Sequence, residues 1–408
     1  MQAGIVDEDI FGDQVISDPH TYYGLLRETD PVHWDATHRM WLLTRYEDVD
    51  WVARRPDLFS SQRALRDPGP LDPPIRPDDL DAGRFVTEFR SHEFIQKDPP
   101  DHDRMRAALK SSFTPKSLET WREKVRSAVA GLLDAVADDK AMDIRKAIGA
   151  PLPMLVISDL LGIPEKDRAL IKRQADDRMA SALSSEPDRM PRAVEGILAS
   201  NEYLDGQIDE RLANPTDDIL SMLAMAERTG VYTRLQVLAN AQSIIDAGHE
   251  TTIQLICNGM LALMRHRAQW DLLVSDPQRW AVGATEECLR FDPPLPIFRR
   301  VAIQDIELKG KTIHAGERVT PCIASANRDP RVFERPDDFD ITRPKNRHLS
   351  FIVGTHFCLG QYLARMEGQE VFSAIARRFP SLRLDDQDLR YDPIVGIHSL
   401  NALPVVWE

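Results

Sequence analysis

One cysteine of this chain lies where a thiolate could hold a metal ion. The stretch SFIVGTHFCLGQYLARME, residues 350–367, has the spacing F-x-x-G-x-x-x-C-x-G, formed by Phe351, Gly354, Cys358 and Gly360. A metal-bound thiolate needs backbone N–H groups directed at its sulfur, and glycines let a loop curl tightly enough beneath a flat cofactor to supply them. The helical pattern that follows would add a helix N-terminus, which also stabilises a thiolate. A lone cysteine is more often a small buried apolar residue, but this spacing favours a ligand.

A second group of reactive side chains lies in the segment 234–267, near whose middle is the stretch IIDAGHETT, residues 244–252. If helical throughout, its 34 residues would extend ~50 Å. Gly248 costs about 1 kcal/mol relative to alanine, so we expect an interruption there, and hydroxyls of Thr251 and Thr252 can take a backbone carbonyl and open the helix. A widened groove would admit a small ligand such as dioxygen. For an isolated A-G-x-E-T-T motif, two interpretations are about equally common. In one the motif is catalytic, and in the other Glu250 is a surface acid and the threonines only pack.

Together these two motifs resemble those of the cytochrome P450 family. The resemblance implies a mainly α fold with a small β region, in which a long central helix lies over haem and the cysteine-ligand loop lies below it. It also implies that Cys358 is the axial ligand of the iron of heme b (iron protoporphyrin IX). Glu250 and Thr251 would be the acid–alcohol pair that relays protons during oxygen activation. One position departs from the pattern, because relatives usually carry a second glycine where this chain has Ile352, which leaves the path of the loop open.

Further positions match haem contacts of the family. Haem carries two propionates, and buried carboxylates need charge-assisted partners. The resemblance assigns these propionate contacts to His102, Arg106, Arg300 and His356, although Arg299 adjoins Arg300. It assigns the remaining haem contacts to Phe351, Gly360 and Ala247.

The segment EECLR places Glu287 and Arg290 three residues apart, on one face of a helix, where they can pair. Such a pair on a surface contributes little. The resemblance implies instead a buried structural pair that supports the cysteine loop.

The substrate pocket is expected to be apolar with few polar contacts. By family position it would contain Ser243, Leu295, Ile297, His398 and Leu400; the alternative is that several of them pack the core. Arginines of the 61–92 segment could meet a substrate carboxylate, but such side chains more often face water. These are Arg63, Arg66, Arg76 and Arg84.

Composition narrows the function classes. The 408 residues are 42% hydrophobic, enough for a large core, and a net charge of −14 disfavours a nucleic-acid partner. The four cysteines lie far apart, which favours neither disulfides nor a zinc cluster. An acidic start and the lack of a long apolar window predict a cytoplasmic protein with no membrane span. Residues 101–126 differ from the acidic chain as a whole, because this segment has seven basic side chains and only four acidic ones.

The length would favour two or three domains, but no Gly/Ser linker, tandem repeat or low-complexity segment divides the sequence, so we expect one domain over residues 1–408. A small β-rich part is expected near residues 27–65 and 300–345 with a C-terminal hairpin, and helices over about residues 101–290 and 359–378. The 61–92 segment is expected to be a long loop with at most one short helix.

These observations predict a haem-thiolate monooxygenase. It would take two electrons from a separate ferredoxin or flavodoxin, reduced by its reductase and docked near residues 101–126, and insert one oxygen atom of O2 into an apolar small organic molecule. Hydroxylation or demethylation is expected, while epoxidation, ring coupling or nitration by the same haem site stays open. The remaining alternative is a non-enzymatic haem-based gas sensor, which would not need the acid–alcohol pair.

Overall fold

The computed structural model describes residues 8–62, 77–182, 188–385, 389–392, 394 and 396–408. Helices dominate these ranges. They are α1 (Asp13–Ser17), α2 (Pro19–Thr29), α3 (Tyr46–Arg54), α4 (Leu80–Arg90), α5 (Asp101–Ala107), α6 (Pro115–Glu119), α7 (Arg122–Asp134), α8 (Pro151–Leu161), α9 (Arg168–Met179), α10 (Arg189–Ala213), α11 (Ile219–Arg228), α12 (Arg234–Arg265), α13 (Arg267–Ser275), α14 (Pro277–Phe291), α15 (Ile323–Ala326) and α16 (Gln361–Arg378).

The strands are short and form small sheets. They are β1 (Val32–Asp35), β2 (Met40–Leu43), β3 (Phe59–Ser60), β4 (Ala141–Asp143), β5 (Arg300–Ala302), β6 (Ile306–Leu308), β7 (Lys311–Ile313), β8 (Arg318–Pro321), β9 (Arg383–Leu384), β10 (Tyr391–Asp392), β11 (Ser399–Leu400) and β12 (Pro404–Val406). A five-stranded sheet has the order β1-β2-β8-β5-β3, with β2 and β8 parallel and the other neighbours antiparallel. The hairpins β6–β7 and β10–β11 and the sheet β4-β12-β9 complete the β structure.

The central helix α12 is continuous, so the interruption expected at Gly248 does not occur. Its N-terminus carries a capping box, in which Thr233 and Gln236 satisfy each other's backbone N–H groups, and its 32 residues extend about 48 Å. A Cβ atom at position 248 would lie 3.0 Å from the Cδ1 atom of Ile157 in α8. Glycine at this position therefore lets α8 pack closely against α12 within an unbroken helix.

Two apolar clusters hold the elements together. The larger cluster joins side chains of α7, α8, α11, α12, α14 and α16, and the smaller one lies between the five-stranded sheet and α3. The larger cluster places α12 against α14 and against α16, the helix that follows the cysteine loop. No helix in the described part of the chain has the length and apolarity needed to span a bilayer.

Two segments differ from the sequence-based expectation. The 61–92 segment contains an 11-residue helix, α4, while residues 63–76, including Arg63, Arg66 and Arg76, lie outside the described residues. Strand β4 lies inside the 101–290 segment that we expected to be helical. It pairs antiparallel with β12, so its extended conformation depends on a strand near the C-terminus that local spacing does not reveal.

Candidate active site

The cysteine loop contains two left-handed residues. Gly354 has φ +73°, and a Cβ atom there would lie 2.6 Å from the carbonyl oxygen of Ala53. Ile352 has φ +56°, a region in which a side chain costs roughly 1–2 kcal/mol and which glycine adopts freely. The loop closes with the N–H of Cys358 donating to the carbonyl of Phe351 at 2.9 Å. Position 352 therefore has a glycine-like backbone although its residue is isoleucine.

Cys358 is half-buried at the end of this loop, just before α16. Burial raises the pKa of its thiol, and the backbone N–H of Gly360 and the guanidinium groups of Arg106 and Arg365 oppose that shift. Arg365 lies 4.3 Å from the ring centroid of Phe351 and donates to Glu286 at 2.7 Å. One backbone donor in the loop and two cations, from α5 and α16, thus act in favour of a thiolate, although burial has the larger effect on the pKa.

A fully buried ion pair on α14 binds the segment that precedes the loop in sequence. Glu287 and Arg290 are both 0% exposed, and their two hydrogen bonds measure 2.9 and 2.7 Å. The same carboxylate accepts from Arg343 at 3.3 Å and from Asn346 at 3.0 Å. Sequence reasoning missed Arg343 and Asn346, because they lie more than fifty positions beyond Glu287 and no local spacing relates them to it.

The predicted propionate contacts converge beside the loop. The rings of His102 and His356 lie 4.3 Å apart between centroids, and Nε2 of His356 lies 2.9 Å from Oγ of Ser61. Arg300 is 9% exposed, and burial lowers its pKa to about 10 despite the nearby carboxylate of Asp98. Burial and neighbouring cations lower the pKa of His356 to about 2. The site is therefore buried and positively polarised.

Two buried polar atoms of this cluster have no hydrogen-bond partner among the described residues, namely Nε2 of His102 and Nη2 of Arg300. Buried donors are nearly always satisfied in folded proteins, so such atoms indicate a missing partner. An anionic group would satisfy Nη2 of Arg300 directly, and Nε2 of His102 when that ring is doubly protonated, because its Nδ1 already donates to the carboxylate of Asp103. The cluster therefore fits a cofactor that carries carboxylates. Arg106 belongs to the same edge, since its Nη2 donates to the carbonyl of Phe357 at 2.5 Å.

The face of α12 that includes the predicted acid–alcohol pair is partly open. Ala247 is exposed although it lies in the middle of a mostly buried helix. The hydroxyl of Thr251 donates to the carbonyl of Ala247 at 2.7 Å, the i−4 bond expected of a helical threonine. The carboxylate of Glu250 accepts from Gln254 at 2.8 Å and lies 4.0 Å from Arg145. Sequence reasoning identified neither Gln254 nor Arg145.

The comparisons with known proteins agree with this geometry. A family model described as Cytochrome P450 matches residues 283–399. The biotin biosynthesis cytochrome P450 of Bacillus subtilis (strain 168) is 32% identical over 400 residues, which are 97% of this chain and 98% of the relative. The chain belongs to the cytochrome P450 family.

Other relatives also match this P450 over nearly its whole length. The polyketide biosynthesis cytochrome P450 PksS of Bacillus subtilis (strain 168) is 33% identical over 404 residues, 97% of each chain. A solved structure of P450BioI in complex with hexadec-9Z-enoic acid ligated acyl carrier protein has a TM-score of 0.88 at 31% identity, covering 97% of this chain and 99% of that chain. The predicted fold is confirmed. The protein is a haem-thiolate monooxygenase that uses haem, O2 and redox partners to oxidise an organic molecule.

The residues expected in the substrate pocket of this P450 occupy different environments. Ser243 is buried on α12 and Leu295 is half-buried after α14, whereas Ile297 packs with the N-terminal helices and Leu400 is fully buried in the main core. Arg84 is exposed and pairs with Asp81. Leu295 is therefore the most exposed of these four expected pocket residues.

His398 does not suit the expected polar substrate contact. Its Nδ1 lies 2.7 Å from Oδ1 of Asp292, and its Nε2 lies 3.0 Å from the carbonyl oxygen of Ile16. The ring also stacks on Tyr391, with 4.1 Å between centroids. Both ring nitrogens are engaged, so His398 links the C-terminal hairpin to the N-terminal helices, and no nitrogen remains for a substrate.

Proposed function

We propose that this P450 holds heme b through the thiolate of Cys358 and hydroxylates or demethylates an apolar small organic molecule. The observation that carries the proposal is the convergence beside the cysteine loop of two buried nitrogens, Nε2 of His102 and Nη2 of Arg300, that have no hydrogen-bond partner among the described residues. Two propionates would satisfy both, Arg300 as a permanent cation and His102 as a doubly protonated ring whose Nδ1 donates to Asp103. Epoxidation, ring coupling and nitration are distinguished from the proposed reaction by product analysis.

The chain's residues would divide the work of holding the cofactor. His102, Arg106, Arg300 and His356 would receive the propionates, Phe351 and Gly360 would lie beneath the ring, and Ala247 above it. When bound, thiolate-ligated haem supplies the cleavage of the O–O bond, which electron donation by the thiolate assists. The small side chain of Ala247 and its exposure support an open space on that side of α12.

Proton delivery would fall to Thr251 and Glu250. The Thr251 hydroxyl is oriented by its bond to the carbonyl of Ala247, so its oxygen keeps a lone pair to accept a proton and pass one on. The Glu250 side chain is only 12% exposed, which keeps bulk water from competing with a directed transfer. A carboxyl group one residue before a held hydroxyl is the arrangement that an ordered two-proton delivery needs.

An extended apolar molecule is the substrate class that we propose. Support comes from the half-buried Leu295 and from the solved relative P450BioI, whose complex contains hexadec-9Z-enoic acid ligated to an acyl carrier protein. Few polar side chains are available to direct such a molecule, and Ser243 is the one that faces it from α12. Shape would therefore decide where on the chain oxidation occurs.

A ferredoxin or flavodoxin, with its reductase, would supply the electrons. Arg122 and Arg126 pair with Glu370, which reduces the free positive charge of residues 101–126. Lys110 and Lys116 stay exposed, and near the cysteine Phe357 and Tyr362 are 37% and 41% exposed. Exposed aromatic side chains among cations suit an acidic protein partner. Nucleic acid is not proposed as a partner, and a cytoplasmic location stays a prediction.

The experiment begins with the reduced, carbon monoxide-treated protein, whose absorption band near the wavelength that gave the family its name reports thiolate ligation. Hydrogen peroxide released per NADPH oxidised is then compared between Thr251→Ala and Thr252→Ala. Thr252 is 3% exposed and differs from Thr251 in facing the core, so it is the matched control. We expect only Thr251→Ala to divert electrons to peroxide. Equal peroxide release by both variants would refute the proton path assigned to Thr251. Absence of the absorption band would refute the assignment of the Cys358 thiolate as the iron ligand.

A further inference from the structure

Two polar side chains of α12, those of Gln254 and Asn258, bind the C-terminal hairpin, and a third, that of Glu250, lies next to them. Glu250, Gln254 and Asn258 follow one another at four-residue spacing and therefore share a face of the helix. Asn258 donates to the carbonyl of His398 at 2.9 Å, and Gln254 accepts the N–H of Leu400 at 3.1 Å. Strand β11, which contains only Ser399 and Leu400, is thus fastened along α12 as well as paired with β10.

Gln254 is the centre of this contact. It is 0% exposed, and its Nε2 donates both to Glu250 at 2.8 Å and to Oγ of Ser399 at 3.0 Å. With Leu400 bound to Oε1, both amide hydrogens and the amide oxygen are engaged. A buried amide in this state is rigid, because every rotation would leave a buried group unsatisfied. Gln254 therefore fixes the Glu250 carboxylate relative to β11.

A second bridge runs between the same groups. Arg145, which follows β4, donates to the carbonyl of Leu400 at 3.0 Å and to Oγ of Ser399 at 3.4 Å. Its Nη2 lies 4.0 Å from Oε1 of Glu250, the same oxygen that Gln254 binds. One amide and one guanidinium group, from segments far apart in sequence, thus connect one carboxylate to one two-residue strand.

We propose that Gln254, assisted by Arg145, is a positioning residue that holds the Glu250 carboxylate against the C-terminal hairpin. This inference rests on the proposed role of Glu250 in proton delivery. A displacement of β11 by a ligand would move Gln254 and Arg145, because both are bonded to the strand, and with them the carboxylate, which is bonded to Gln254. The position of β11 relative to α12 would thereby determine how efficiently protons are transferred to Thr251.

The principal test is Gln254→Leu, which preserves side-chain size and removes three hydrogen bonds. Electrons come from a ferredoxin and its reductase, and the probe is the member of a fatty-acid and steroid panel that gives the largest Soret shift. We expect peroxide release per NADPH to rise on the order of tenfold, below the loss that removing a general acid causes. The dissociation constant of the probe should change by less than about twofold, because Gln254→Leu removes no contact with the probe.

A second readout does not depend on turnover. Hydrogen exchange of the Leu400 amide should become faster in Gln254→Leu, because its N–H loses the acceptor Oε1 of Gln254. The matched control is Gln242→Leu. Gln242 is 2% exposed on the same helix but donates to Asn201 at 2.7 Å, so this variant removes a buried amide without touching Glu250. It should alter neither peroxide release nor exchange at Leu400.

A double variant separates positioning from general loosening of the fold. In a Glu250→Gln background, Gln254→Leu should add less than about twofold to peroxide release, because its effect passes through the carboxylate. An undiminished increase in that background, or normal coupling of Gln254→Leu, would overturn this inference alone. Normal coupling of Glu250→Gln by itself would overturn the proposed role of Glu250. If Gln254→Leu does not fold, Arg145→Met replaces it, and normal coupling there counts against the inference in the same way.

Discussion

The left-handed conformation of Ile352 can be tested by comparing two substitutions at the same position. At an ordinary site alanine is more stable than glycine by about 0.5–1 kcal/mol, because glycine loses more backbone freedom on folding. At φ +56° the order should reverse, since alanine retains the unfavourable contact of its Cβ atom and glycine does not. Ile352→Gly should therefore be more stable than Ile352→Ala.

The expected size follows from these two opposing terms. The left-handed backbone costs a non-glycine residue roughly 1–2 kcal/mol, from which the entropy cost of glycine, about 0.5–1 kcal/mol, is subtracted. From the midpoints of these two ranges, glycine should lead alanine by about 0.75 kcal/mol at position 352. Both variants lose the half-buried isoleucine side chain, whose packing against the smaller apolar cluster is common to them and cancels.

Val353 supplies the matched control. It is also half-buried against the same cluster, but its φ is −140°, an extended conformation that any residue adopts. Val353→Gly should be less stable than Val353→Ala by about 0.5–1 kcal/mol. Urea unfolding at fixed protein and haem concentrations, followed by circular dichroism, gives the four free energies. If alanine exceeds glycine by the same amount at both positions, residue 352 is not strained.

Two further predictions concern buried charges. Burial raises the pKa of the Glu367 carboxyl to about 8. Between pH about 4.5 and pH about 8 the folded state therefore retains a proton that the unfolded state has lost. The contribution of this proton to the free energy of unfolding is complete below pH about 4.5 and falls by about 1.4 kcal/mol per pH unit up to pH about 8. Glu367→Gln should flatten this slope in urea unfolding measured from pH 5 to 8, and an unchanged slope would contradict the assignment. Arg290→Met should cost about 3–5 kcal/mol because it leaves Glu287 buried without its main cation. The control Arg54→Met breaks an exposed pair with Asp50 and should cost less than about 1 kcal/mol, so equal costs would refute the argument.

The parts of the site that sequence reasoning predicted correctly involve residues close together in the chain. The helical pattern around Thr251 implied a hydroxyl bonded to the carbonyl four residues earlier, and the structure has that bond. The three-residue spacing of Glu287 and Arg290 implied a pair, and the structure has it buried. Such features depend on backbone geometry that a few residues encode, so their spacing is sufficient to predict them.

Other features needed the assembled chain. Spacing alone predicted a break at Gly248, but the glycine accommodates Ile157 of another helix and α12 continues through it. His398 matched a pocket position by resemblance, yet Asp292 and Ile16 occupy its ring nitrogens. Neither outcome can be read from the residues beside Gly248 or His398, because the partners lie elsewhere in the chain.

The sequence by itself determined the family, the cysteine loop and the long helix with its acid and alcohol, because each is a run of residues whose spacing carries the information. Only the tertiary structure decided that Arg300 has an unsatisfied buried nitrogen, that Arg343 joins Glu287 and that Gln254 fastens Glu250 to Leu400. Gln254 and Leu400 are 146 positions apart. Contacts of that kind arise when packed elements bring distant side chains together, and no local pattern encodes which side chains will meet.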